Sequence, residues 1–298
     1  MANLREIRDR ITSIRSTQQI TRAMKMVAAA KLRKAQNRII ATRPYANKLD
    51  EVIGRLVKGI EITNKYMTPN QNPDKVLFIV IGSDRGLCGG FNNNLFKVAV
   101  TRLHDEFQQY LDNDSLSMIC IGRKANNYFK KRNYKVLGDH SGFFDDLSFE
   151  NTTTIMKEVI AGFESDEYQA VYLVYNEFKS VLSQNRKVEQ MLPIPSLDNK
   201  EEVEESTSKD KVVDYIFEPN AVNILKHLIP LHLNTQLWKA VLESNASEQG
   251  ARMAAMDNAT ENAQELLREL RLKYNQARQA SITTEISEIV SGAEALSD

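Results

Sequence analysis

The chain has 298 residues, 42% hydrophobic and 26% charged, a balance that suits a folded chain and lies outside the composition of disordered ones. At roughly 100–200 residues per domain it has room for about two structural units, and no window holds the ~18 apolar residues that cross a bilayer, which argues against direct membrane insertion. Lys/Arg and Asp/Glu are equal at 39 each, so no net charge marks the whole chain for nucleic acid.

Residues 1–60 read as one long helix. Asn3 can cap the first turn with Glu6 three positions on, and Gly and Pro are scarce. Leu4, Ile7, Ile11 and Ile14 alternate at three and four; the register then passes Gln18, Thr21 and Lys25 before recovering at Ala28, Leu32, Ala35 and Ile39. Pro44 is expected to kink or end the helix. The segment holds fourteen Lys/Arg against Glu6, Asp9, Asp50 and Glu51, about +10.

Residues 75–195 read as an alternating α/β unit: strand 76–81, helix 93–111, strand 117–121, helix 123–131, strand 134–137, helix 149–164 and strand 170–175. Such alternation predicts parallel strands joined by helical crossovers. Residues 196–219 follow, and within them 198–211 (DNKEEVEESTSKDK) is acidic and poor in apolar residues, as a solvated loop is. From about 220 to 298 a second helical pattern runs to the end. Met253, Met256, Thr260, Ala263, Leu267, Leu270, Tyr274 and Ala277 keep the heptad, and Ile282, Ile286, Ile289 and Ala293 continue it in a shifted phase. From Glu243 onward ten Asp/Glu face five Lys/Arg, about −5. At 1.5 Å per residue the two helices would span roughly 80 and 110 Å. Neither fits inside a globule, and their opposite charges favour antiparallel pairing around an inserted α/β domain.

The most enzyme-like feature is IGSDRGLCGGFN, with Gly82, Gly86, Gly89 and Gly90 between a strand and a helix. It lacks both the Gly-Lys-Ser/Thr of a phosphate loop and the GxGxxG spacing, so a tight structural turn is the better reading. The four histidines, His104, His140, His227 and His232, form no metal-ligand pattern. No GxSxG is present, and Cys88 and Cys120 lie in no catalytic signature and form no CxxC, which fits free thiols. Asp145 and Asp146 read as solvated turn residues. The basic run KLRKAQNR (31–38) lacks the aromatics of a nucleic-acid surface and fits a solvated face or one that meets an acidic protein. Catalytic, metal and cofactor sites are therefore not expected. The rival is a nucleotide-binding α/β enzyme with helical arms for oligomerisation. The start MANLREIRDR has no apolar signal core, so synthesis in the cytosol is expected.

Residues 17–36 (TQQITRAMKMVAAAKLRKAQ) and 278–296 (RQASITTEISEIVSGAEAL) closely resemble the two ends of the gamma subunit of F-type ATP synthases. The second carries that family's pattern at Ile282, Thr283, Glu285, Glu288, Gly292, Ala293 and Ala295. GSDRGLCGGFN, ASEQGARMAAMDNAT (246–260) and the DYxxEP segment at 214–219 are similar to the same family, so the resemblance covers the whole chain. It implies a non-catalytic rotor shaft for ion-driven ATP synthesis or hydrolysis, partnered by alpha, beta and epsilon subunits and the membrane c-ring. It also implies a peripheral place on the cytoplasmic side of a bacterial cell membrane. Arg278, Gln279 and Thr283 resemble polar contacts to loops of the catalytic subunits, and Met24 resembles a neck residue whose change to a cation impairs coupling. Tyr215 and Phe217 align with the foot near the membrane ring. The regulatory dithiol insertion of chloroplast members has no counterpart here.

Overall fold

The apolar run VLFIVI predicts a strand buried on both faces, and in a computed structural model of the chain all six residues of β1 (Val76–Ile81) are at 0% exposure. The structure describes residues 4–58, 65–68, 70, 72–181, 183–195 and 221–295. Among these, β1 is followed by α2 (Phe91–Glu106), α3 (Gln108–Asp112), β2 (Leu116–Ile121), α4 (Arg123–Lys130), β3 (Val136–His140), α5 (Phe149–Glu164), β4 (Ala170–Phe178) and β5 (Gln184–Leu192). Helices α1 (Leu4–Lys58) and α6 (Ala221–Ala295) flank this series. The architecture is an antiparallel pair of long helices with an inserted Rossmann-like α/β domain.

The sheet has the order β3-β2-β1-β4-β5. β1 pairs in parallel with β2 and β4, β2 in parallel with β3, and β4 antiparallel with β5. Successive residues point to opposite faces. Leu77, Ile79, Ile81, Val171 and Leu173 pack against Val159 and Phe163 of α5, Leu56 of α1, and Leu233 and Leu237 of α6. Val76, Phe78, Val80 and Val174 pack on the other face against Leu95 and Leu103 of α2 and Phe129 of α4.

Several expected boundaries move. The helix expected over 93–111 breaks at Phe107, whose φ of −125° leaves the helical region while its ring packs 5.0 Å from Phe78 and 4.8 Å from Tyr172. The strand expected at 134–137 lies at Val136–His140 instead. Asn133 takes a φ of +60° in the turn after α4, and Tyr134 N–H donates to Phe129 O, so Tyr134 still belongs to that turn. β4 runs on to Phe178 and turns into β5, a strand with no counterpart in the expected series. Its sequence QNRKVEQML lacks apolar alternation because it is a charged edge: Lys187 bridges Glu177 at 2.9 Å and Glu189 at 3.0 Å, and Tyr175 donates to Glu189 at 3.1 Å.

Pro44 does not end α1, which continues to Lys58. Pro44 is exposed, as is Ile40, whose carbonyl loses its helical partner to the ring; water can satisfy it. On the opposite side Ala46, Leu49 and Ile53 are buried and hold the last turns.

The chain divides into two compact units, Met1–Ala30 with Arg252–Asp298, and Lys31–Ala251. In the first, partners run in opposite directions along the two helices: Arg8 donates to the Tyr274 hydroxyl at 2.9 Å, the Thr21 and Thr260 hydroxyls meet at 2.8 Å, and Lys25 pairs with Asp257 at 2.5 Å. The polar break in the α1 seam is thus matched by polar residues on α6. In the second unit His232 of α6 bonds Asp50 of α1 at 3.1 Å, which is again antiparallel.

Candidate functional site

The glycine loop lies at the C-terminal end of the parallel strands, where doubly wound sheets bind nucleotides. Its first glycine is required by close packing: a Cβ on Gly82 would sit 2.9 Å from the Ala125 Cβ. Gly122, at the end of β2, has a φ of +96° and lies against Gly82 O. The polar groups between these points bond one another. Ser83 N–H donates to Asn92 Oδ1 at 3.0 Å, Asn92 Nδ2 donates to the Ser83 hydroxyl at 2.8 Å, and that hydroxyl donates to Arg85 O at 2.8 Å. Asp84, 7% exposed, accepts from the backbone N–H groups of Arg123 (2.9 Å), Gly142 (2.7 Å) and Phe144 (3.0 Å).

A carboxylate of the chain itself therefore sits at the N-terminus of α4, where the helix dipole and free N–H groups would otherwise favour a phosphate. The second part of the crevice, between the ends of β1 and β4, is filled by α6. Ser244 donates to Ile81 O at 3.3 Å and Ser247 to Asn176 O at 3.1 Å. A phosphate would meet a fixed negative charge on one side and a helix on the other. Cys88 and Cys120 are both buried, and burial pushes the Cys120 thiol up to about 12, far from a nucleophilic thiolate. Among the described residues no group of His, Cys, Asp and Glu could hold a metal ion. Asp145, expected to be a solvated turn residue, pairs with Arg85 at 3.2 Å on the surface.

With the sheet so occupied, the exposed features lie on the paired helices. Met24 is half-buried beside Lys25, and Ile20, Met26 and Val27 next to it are 59%, 61% and 57% exposed. Arg278, Gln279 and Thr283 are all exposed. Gln279 and Thr283 stack one helical turn apart, with the threonine hydroxyl donating to the Gln279 backbone O at 2.9 Å. Arg278 lies beside them on the adjoining face. Met24 is not in this cluster: Lys25 pairs with Asp257, which precedes Gln279 by roughly 33 Å of helix. Two separate contact regions result. Tyr215 and Phe217, and the acidic stretch 198–211, lie outside the described residues.

The expected continuation of the α6 seam past Ala277 is not packed. Ile282, Ile286 and Ile289 are 46%, 57% and 70% exposed, and Val290 is 51% exposed. The pairing of Arg8 with Tyr274 sets Leu4, the first described residue of α1, about one turn further along α6, level with Arg278. An apolar stripe of this size on a charged, long helix marks an interaction surface.

The sequence profile of the ATP synthase family matches residues 3–296. The chain is 48% identical over 99% of both chains to the ATP synthase gamma chain of Chlorobaculum tepidum, and 46% identical to that of Salinibacter ruber, covering 100% of this chain and 99% of the other. The chain belongs to the ATP synthase gamma family. Members are non-catalytic subunits of a membrane-associated complex, in keeping with a crevice filled by its own residues. The fold agrees with the Euglena gracilis mitochondrial ATP synthase chain in a structure of OSCP, F1 and c-ring, at a TM-score of 0.63, 20% identity and coverage of 98% and 94%. A chain of the Euglena gracilis rotor aligns at a TM-score of 0.60 and 19% identity, covering 94% of this chain and 98% of the other. No described helix of the chain is long and apolar enough to cross a membrane.

The residues that sequence reasoning missed are Asp84, Ser244 and Ser247. Their partners are backbone groups far away in sequence, and nothing in local spacing signals them.

Proposed function

We propose that this chain is the central shaft of an F-type ATP synthase, turned by ion flow at the membrane and cycling the catalytic subunits through different nucleotide affinities. The observation that carries this reading is the exposed apolar stripe Ile282, Ile286, Ile289 and Val290 toward the C-terminal end of α6. An apolar end of this kind turns within a sleeve formed by other subunits, because non-directional contacts hold it without fixing its angle. One shaft cannot match three equivalent subunits at once. Each catalytic subunit meets a different face and is biased to a different state, and rotation permutes the states.

Within that scheme residues 1–60 and 220–298 form the shaft, 75–195 the inserted domain, and 196–219 the foot, with Tyr215 and Phe217 near the membrane ring. Alpha, beta and epsilon subunits and the c-ring are the partners, on the cytoplasmic side of a bacterial membrane. Arg278, Gln279 and Thr283 hold loops of the catalytic subunits. Met24 bears on the head where α1 is basic. Met24→Lys adds a cation beside Lys25 and Arg22, and it is expected to leave assembly intact while ATP hydrolysis drives proton pumping poorly. The check compares hydrolysis with pumping in membranes carrying the variant, after co-purification identifies the subunits recovered with the chain. Normal pumping refutes the role of Met24. A chain recovered without alpha and beta subunits refutes the shaft.

A further inference from the structure

In open parallel sheets the crevice at the switch point, where connections leave a central strand in opposite directions, is the place where a ligand is gripped. Here β1 is that strand, with β2 on one side and β4 on the other, and the grip closes on α6. Ser244 and Ser247 are 1% and 0% exposed and lie three residues apart, on one face of the helix. Their hydroxyls donate to carbonyls of neighbouring strands, Ile81 O at the end of β1 and Asn176 O near the end of β4. A third bond comes from the sheet edge, where Gln184 Nε2 of β5 donates to Ser247 O at 3.3 Å. A small residue allows this approach: Ala240 is 2% exposed on the same face.

We infer that Ser244 and Ser247 are positioning residues that fix the angle of α6 within the inserted domain, so that torque passes between the sheet and the shaft helix without slip. The inference rests on the rotor reading above. Apolar contacts such as Leu233 and Leu237 against the sheet hold the helix against separation, but they are non-directional and let it rotate by small repacking. Hydrogen bonds weaken steeply when bent. Three of them, from three different strands to two residues of one helix, therefore resist rotation about the helix axis and sliding along it. The usual partner of a helical serine hydroxyl is a carbonyl of the preceding turn of its own helix. That they bond across to strands instead indicates a contact that serves the interface.

The test measures torsional compliance in the complex of alpha and beta subunits assembled with the full chain. Lys157 on the exposed face of α5, replaced by cysteine, carries the probe; Cys88 and Cys120 are buried and stay unlabelled. The head is held at a pause with a non-hydrolysable nucleotide, and the angular variance of the probe is recorded. With two of the three directional bonds gone in Ser244→Ala/Ser247→Ala, the variance is expected to rise about twofold. Gln184→Leu, which leaves the helix side untouched, raises it by a smaller amount. Thr152→Val removes a buried hydroxyl that donates to Ser148 O, of the residue that caps the same helix, at 3.2 Å, and serves as the variant that lowers stability alone; its variance stays at the wild-type value. Wild-type variance in the double alanine variant overturns the proposal, as does an equal rise in Thr152→Val. Should the double variant fail to assemble, Gln184→Leu decides: unchanged variance there overturns it. A wild-type complex whose probe does not rotate with ATP refutes the rotor reading instead.

Discussion

Replacing Asp84 tests whether the glycine loop is a self-contained clasp. The carboxylate accepts three backbone N–H bonds of 2.7–3.0 Å from two loops that lead away from β2 and β3. Charge-assisted bonds contribute about 1.5–3 kcal/mol each, which would set an upper limit near ~9 kcal/mol if the three were independent. They share one side chain, and Gly142 and Phe144 are only half-buried, so water can take up part of the freed N–H groups. About 3 kcal/mol is the expected cost of Asp84→Ala. Asp84→Asn keeps one oxygen for two of the donors and sets an amide NH₂ against the third, which predicts roughly half that loss. Thermal unfolding of the full chain reads the total. Hydrogen exchange reads its location: the amide of Phe144 should exchange about 30-fold faster in the alanine variant, the factor that corresponds to about 2 kcal/mol of local opening. Loss of under ~0.5 kcal/mol together with unchanged exchange at Phe144 would refute the clasp.

Burial pushes the pKa of Glu243 up, against the opposing effects of Lys239 and Arg43, and its Oε2 has no hydrogen-bond partner. A carboxyl whose folded pKa is raised above its ordinary 4.5 contributes stability that is present below that value and lost as pH rises through the folded pKa. Glu243→Gln should therefore gain up to about 1 kcal/mol over the native chain at pH 7–8 and nothing near pH 4.5, in thermal unfolding across that range; an equal difference at all pH values would falsify the linkage. Thr21→Val and Thr260→Val should each cost about 1 kcal/mol, and the double variant less than their sum by about 0.5–1 kcal/mol; strict additivity would show that the 2.8 Å contact contributes nothing. Calorimetric titration of the full chain with ATP, ADP or NAD should give no micromolar binding, and saturable heat with any of them would favour the enzyme alternative.

The seam of α1 was legible because helical packing obeys a local period. Ala28, Leu32, Ala35 and Ile39 are buried where the heptad sets them, and even the break at Gln18, Thr21 and Lys25 keeps register, since Thr21 is 8% exposed against Thr260. In α6 the same rule holds through Tyr274, which meets Arg8, and half-buried Ala277, and then fails. Periodicity reports that a face is apolar, not that a partner reaches it, and Ile282, Ile286 and Ile289 have the pattern without the neighbour. β5 escaped for the opposite reason. It is an edge strand stabilised by Lys187 between two glutamates and by its ladder to β4, and neither leaves an apolar alternation to read.

The glycine loop shows how a fold can retain the shape of a ligand site while its chemistry is spent elsewhere. Parallel strands ending at glycines create free N–H groups and a crevice whatever the protein does, because both follow from the topology. Asp84 satisfies the N–H groups with a fixed negative charge, and Ser244 and Ser247 satisfy the carbonyls with a helix. A nucleotide would bring the same bonds but would also leave. For a part that must carry torque through many turns, an occupant joined covalently to the same chain has an advantage in effective concentration over any diffusible one. On this argument the catalytic form of the crevice and its mechanical form differ in what occupies it, while the sheet that builds it is common to both.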